Sequence, residues 1–132
     1  MMILTLTILC SAGGALAQTP EQEKAIAAIK KLGGETATSA LTSFSKQGKV
    51  VLENLPGKPV VLVYLEETKV TDADLAMLKA FPDLIRLDLT TTSITDAGLI
   101  HLKGLTKLEW VGLARTKVTD KGLENLQGLV NL

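Results

Sequence analysis

LIRLDLTTTSITDAGLIHLKGLTK spans Leu84–Lys107, and the stretches on either side repeat its pattern at a spacing of 24 residues. Val60–Asp83 is the preceding unit, Leu108–Asn131 the following one, and Leu132 opens a fourth. The first position holds Val60, Leu84 and Leu108; the fourth holds Val63, Leu87 and Val111; the sixth holds Leu65, Leu89 and Leu113. The eleventh holds Val70, Ile94 and Val118. Leu75, Leu99 and Leu123 follow, then Leu78, Leu102 and Leu126, then Phe81, Leu105 and Leu129. Apolar columns kept in register over three units are the signature of a stacked repeat architecture.

The period changes inside each unit. Leu87-Asp88-Leu89 alternates, as a half-buried strand does, whereas Leu99, Leu102 and Leu105 recur every third residue, which predicts a helix. Thr71-Asp72, Thr95-Asp96 and Thr119-Asp120 separate the halves. The threonine hydroxyl is placed to cap the coming helix and the aspartate to favour its positive end. One strand–helix unit cannot bury its own apolar edge, so the units must stack strand on strand over a shared leucine core.

The pattern LxxLxLxxTxI, seen as LIRLDLTTTSI at Leu84–Ile94 and as LEWVGLARTKV at Leu108–Val118, resembles the leucine-rich repeat family. The helical half, TDAGLIHL at Thr95–Leu102, resembles its helix-bearing subtype. The resemblance covers residues 60–132 and implies an α/β solenoid, with a short parallel β-sheet on the concave face and α-helices on the convex face. It also implies binding through the concave sheet and a protein partner, with a cell-wall polymer as the secondary candidate. The ninth position departs from the family's asparagine or cysteine: it holds Thr68, Thr92 and Thr116. Their hydroxyls are expected to form a structural ladder that satisfies buried backbone at the bend.

Alternation places positions three, five and seven of each unit away from the core. These are Leu62, Tyr64 and Glu66, then Arg86, Asp88 and Thr90, then Trp110, Gly112 and Ala114. Leu62, Tyr64, Glu66, Arg86, Asp88, Thr90, Trp110 and Arg115 are the candidate ligand-binding residues of the concave face. Arginine beside tryptophan is a composition that carries energy in protein interfaces; an Arg86–Trp110 cation–π pair that only keeps the ring solvated is the alternative.

Residues 18–59 read as an amino-terminal cap. Thr19-Pro20-Glu21-Gln22 combines a hydroxyl N-cap, a proline at the first helical position and a glutamine three residues after the cap. Ala25, Ile26, Ile29 and Leu32 form one stripe, and Gly33-Gly34 stops the helix. Lys49–Leu52 reads as a short strand and Pro56-Gly57 as a turn. Residues 1–17, MMILTLTILCSAGGALA, carry no charge and end in Ala15-Leu16-Ala17, which predicts a secretory signal peptide cleaved before Gln18 and an extracytoplasmic protein. A lipid on Cys10 and an uncleaved leader are the alternatives; the segment is shorter than the ~20 apolar residues that span a bilayer.

Composition excludes several classes of function. The 132 residues carry 14 basic and 14 acidic side chains, so no net field draws nucleic acid or an anionic membrane. The single cysteine allows no internal disulfide. His101, the only histidine, stands in a column with Met77 and Asn125 and reads as an exposed surface residue. Gly57-Lys58-Pro59 lacks the upstream glycine of a phosphate loop. Neither an enzyme nor a cofactor or metal site is expected. An architectural spacer without its own ligand is the alternative function. Because Leu132 aligns with Leu108 and Leu84, the chain is read as part of a longer array or as one whose open end another subunit covers. Residues 18–132 alone are expected to self-associate through Leu108–Leu113.

Overall fold

The computed structural model describes residues 18–37, 43–44, 50–51 and 59–132. The expected leader at 1–17, Cys10 and the Pro56-Gly57 turn lie outside the described residues. Helix α1 (Pro20–Lys31) begins at the capping box foreshadowed by Thr19 and Gln22. The Gln22 amide donates to Thr19 Oγ1 at 3.3 Å and the Thr19 amide to Gln22 Oε1 at 3.0 Å. Ala25, Ile26 and Ile29 turn inward, and Gly33 leaves the helix at φ 88°.

Strand β1 (Glu35–Ala37) follows, then β2 (Ser43–Phe44) and β3 (Val50–Val51), which pair antiparallel. Strands β4 (Leu62–Tyr64), β5 (Arg86–Asp88) and β6 (Trp110–Gly112) come one from each repeat unit. The main sheet has the order β1-β4-β5-β6. Its three repeat strands are parallel and in register at the 24-residue period: Leu62 faces Arg86, which faces Trp110. The sheet is nevertheless mixed, because β1 pairs antiparallel with β4. The first unit's edge, which has no preceding repeat strand, is thereby closed by the cap.

Backbone bonds recur with the period. The Leu65 amide donates to the Asp88 carbonyl (2.8 Å) and the Leu89 amide to the Gly112 carbonyl (2.9 Å); Glu67 N to Thr90 O (3.0 Å) and Thr91 N to Ala114 O (2.8 Å) repeat the step two residues on. Glu67, Thr91 and Arg115 all adopt left-handed φ, at 56°, 57° and 54°. Non-glycine residues seldom do so, and here each marks the bend where a strand leaves the sheet.

The helical layer differs from the α-helices expected. Asp74–Ala80 is a 3-10 helix throughout. Helices α2 (Asp96–Leu99) and α3 (Asp120–Leu123) are single turns that continue as 3-10 segments at Ile100–Leu102 and Glu124–Leu126. Spacing explains this: stacked strands lie ~4.8 Å apart, while packed α-helices need 8–10 Å. The slimmer 3-10 turn reduces the mismatch, and its three residues per turn match leucines placed every third residue. In this narrow turn the residue preceding a buried leucine stays near the core surface. Met77 packs against the core, and His101 is half-buried rather than exposed.

The core takes α1 and the repeats together. Val63, Leu65, Val70, Leu75, Leu78, Leu84, Leu87, Leu89, Ile94, Leu99, Leu102 and Leu108 are all fully buried. The Thr68, Thr92 and Thr116 hydroxyls donate to the carbonyls of Leu65, Leu89 and Leu113 at 2.7, 2.6 and 2.7 Å. Each bond closes within its own unit, so the column is a set of repeated bend clamps rather than a ladder between units. Thr92, the buried member, makes the sharpest test. Thr92→Val keeps size but removes the donor to the Leu89 carbonyl, and is expected to cost ~1–3 kcal/mol in urea unfolding; an unchanged midpoint would show that the clamp adds nothing.

Candidate functional site: the open face of the sheet

The sheet presents two rows on the face turned from the core, Ala37–Leu62–Arg86–Trp110 and Glu35–Tyr64–Asp88–Gly112. Arg86 and Trp110 are exposed, Tyr64 and Asp88 half-buried. The Arg86 guanidinium carbon lies 4.9 Å from the centre of the Trp110 ring, a cation–π contact. Gly112 makes room for that ring. A Cβ there would lie 2.6 Å from the Trp110 ring and 2.5 Å from an Asp88 carboxylate oxygen. The indole therefore lies across a glycine floor with a cation over it, and it stays 39% exposed.

Three candidate residues are placed differently from expectation. Leu62 is only 3% exposed and cannot meet a ligand; it lies beside Ala37 of β1, and the two are buried outside the main core. Asp88 accepts a 2.9 Å bond from the Thr90 amide, so this pair turns the chain at the strand's end. Arg115 sits in the left-handed bend after β6, off the sheet rows. Glu66 and Thr90 flank the same face at the ends of their strands, exposed and half-buried. The side chains left accessible on this face are thus Arg86, Trp110, Tyr64 and Asp88, with Glu66 at its border.

A second constellation joins the units. Asp96 lies in the first turn of α2, where its charge was expected, but the carboxylates of Asp72 and Asp96 take their hydrogen-bond donors from the unit that follows. Asp72 accepts the Thr95 amide (2.8 Å) and hydroxyl (2.6 Å), and Asp96 accepts the Thr119 amide and hydroxyl, both at 2.7 Å. Each carboxylate thus staples its unit to the next. The glycine three residues after each threonine belongs to the device: a Cβ on Gly98 would stand 2.5 Å from Asp72 Oδ1, and one on Gly122 2.3 Å from Asp96 Oδ1. The first unit has no preceding aspartate and solves the problem internally. Asp74 stands where the later units have glycine, and its carboxylate takes the Thr71 amide (2.9 Å) and hydroxyl (2.7 Å). The signal was the alternation of Thr-Asp-x-Asp with Thr-Asp-x-Gly, which is visible in the sequence once the geometry is known.

The Thr119 amide, and then its hydroxyl, hold the Asp96 carboxyl below its ordinary value of 3.8, with Lys121 adding to the effect and desolvation opposing it. A depressed folded-state value contributes stability that is full above the unfolded value and is lost as pH falls through the folded one. Wild type should therefore exceed Asp96→Asn in urea resistance near neutrality, and the gap should close on acidification below 3.8. A gap that persists or widens in acid would contradict the staple.

No His, Cys, Asp and Glu side chains converge into a three-residue metal set among the described residues, and no described helix is long and apolar enough to cross a membrane. No model of a known protein family, no curated protein and no solved structure matches this chain.

Proposed function

We propose that this chain is an exported binding module of leucine-rich repeat type that takes another protein on the open, concave face of its sheet. The observation that carries the reading is the Arg86–Trp110 pair. The only tryptophan of the chain lies on a glycine floor, partly exposed, with a guanidinium over its ring and Tyr64 and Asp88 in the adjoining row. Large flat rings and arginine dominate the energetic centres of protein interfaces, and here the Trp110 ring stays 39% exposed. The neutral overall charge favours a protein surface over a polyanion. The exposed ring and guanidinium are groups that supply contact energy and complementarity, which suits the face to binding.

Cross-linking capture from the extracytoplasmic fraction of the native source tests this. Wild type and the opposite-face variant Lys103→Ala should retain the same species, and Trp110→Ala should lose it at least ~10-fold. A spacer without a ligand would capture equally with all three. The single tryptophan also supplies the readout for a purified partner, through its fluorescence. Export has its own test: the secreted chain should begin at Gln18, as read by N-terminal sequencing, whereas Met1 retained on a cytosolic protein would refute export.

A further inference from the structure

Tyr64 stands between two carboxylates. In the row Glu35–Tyr64–Asp88–Gly112 the strands carry one acidic residue to each side of the phenol ring, and Glu66 follows two residues beyond Tyr64 on the same face. Residues opposed across neighbouring strands have Cβ atoms ~4.5–5.5 Å apart, so a positive charge resting on the ring is close to both Glu35 and Asp88. Glu35 and Glu66 are exposed, Tyr64 and Asp88 half-buried. None of the three carboxylates is neutralised from within: among the described residues the one ion pair is Lys107–Asp83. Asp88 spends Oδ1 on the Thr90 amide, which leaves its second oxygen open among the described residues. Arg86, two residues before Asp88 on the same strand and face, is the nearest candidate to neutralise it. Its guanidinium lies instead over the Trp110 indole, 4.9 Å from the ring centre. The face thus sets three carboxylates against one cation, and that cation is already engaged.

We propose that the protein partner of this face presents a lysine or arginine side chain, which lies on the Tyr64 ring between Glu35 and Asp88. The proposal rests on the reading of the face as a protein-binding surface and adds the chemistry of the partner. A cation over an aromatic ring is attracted by its quadrupole, and here the flanking carboxylates add opposite charge on both sides. An acidic segment would meet the same carboxylates as like charges, which suppresses it as a partner. Arg86 has a different part: held over Trp110, it leaves the acidic row free for a cation from outside.

The test uses the full chain and a short blocked peptide with arginine-leucine-arginine at its centre, beside the same peptide with glutamate in place of arginine. Binding is read from Trp110 fluorescence and located by the NMR shifts of the Glu35, Tyr64 and Asp88 amides. The arginine peptide should bind at least ~10-fold more tightly, and the difference should shrink with added salt, which screens surface charge. Glu35→Gln with Asp88→Asn removes both flanking charges, while an amide oxygen can still accept from the Thr90 N–H; this pair should abolish the preference. Glu124→Gln, in the helical layer, should leave it unchanged. Glu35→Arg with Glu66→Arg should reverse the preference toward the glutamate peptide, a gain that misfolding cannot imitate. Equal binding of the two peptides to wild type, binding of neither, or an equal loss in Glu124→Gln would overturn the basic partner. So would a captured species that survives Glu35→Gln with Asp88→Asn but is lost in Trp110→Ala; the protein-binding reading would then stand without it. Capture indifferent to Trp110→Ala would overturn that reading itself.

Discussion

Gly98→Ala is expected to destabilise the protein by ~2–4 kcal/mol, although it adds a single methyl group. The new Cβ would lie 2.5 Å from Asp72 Oδ1, 2.9 Å from Ile94 Cγ2 and 3.0 Å from Leu75 Cδ1. A flexible side chain would normally step aside. Asp72 cannot do so cheaply, because its two oxygens hold the Thr95 amide and hydroxyl, and moving it strips both donors at a part-buried site. Ile94 and Leu75 are fully buried and have nowhere to retreat. The control is Gly104, where a Cβ meets nothing within 4 Å and the backbone is not left-handed. Gly104→Ala should be neutral or stabilise by ~0.4–1 kcal/mol through the unfolded chain. Urea midpoints of the two variants check the contrast. A double variant with Asp72→Ala should cost less than the sum of the two single changes, since the methyl group and the carboxylate compete for one space. Strict additivity would mean that the glycine is there for another reason.

Leu87→Ala is expected to have an effect as large or larger, ~3–5 kcal/mol. Leu87 is the middle residue of β5, fully buried between Val63 and Val111, and it is part of the single core that runs from α1 through all three units. Flanking strands fixed by their own hydrogen bonds cannot close over the lost volume, so the variant loses both transfer energy and packing contacts. The same truncation at Leu123, which is 44% exposed, should cost far less. Comparing these leucines in thermal melts reads out how burial is distributed along the stack. A Leu123→Ala penalty equal to that of Leu87→Ala would show that another molecule covers the third unit under the conditions used.

These two expectations rest on different kinds of information. The column containing Val63, Leu87 and Val111 follows from the sequence, because side-chain alternation and the 24-residue period are local properties that show in residue types. The same holds for the fully buried positions Leu65 and Leu89, Val70 and Ile94, and for the capping box that starts α1 at Thr19. The row that brings Arg86 beside Trp110 was equally legible, since parallel stacking without a register shift carries position three of one unit onto position three of the next. That the helical turns would be largely 3-10 was half-legible: leucines spaced by three without a fourth-residue partner were the mark, and the closeness of the strands supplied the cause.

Other features were decided only when the chain folded. Leu62 is buried beside Ala37 of β1, which pairs antiparallel beyond β4, a contact between segments of the cap and the first unit that follows no period. Asp72 and Asp96 looked like helix-start charges, since a single unit shows each aspartate beside its own turn; their hydrogen-bond partners stand 23 residues further on. Gly112 became the floor of the indole only when Trp110 curled over its own strand beneath Arg86. Apolar periodicity identifies which side chains leave water, because that depends on residue type and spacing along the chain. Which polar group meets which is fixed by the distance between neighbouring units and by the space that one missing Cβ leaves, and those quantities exist only in the folded molecule.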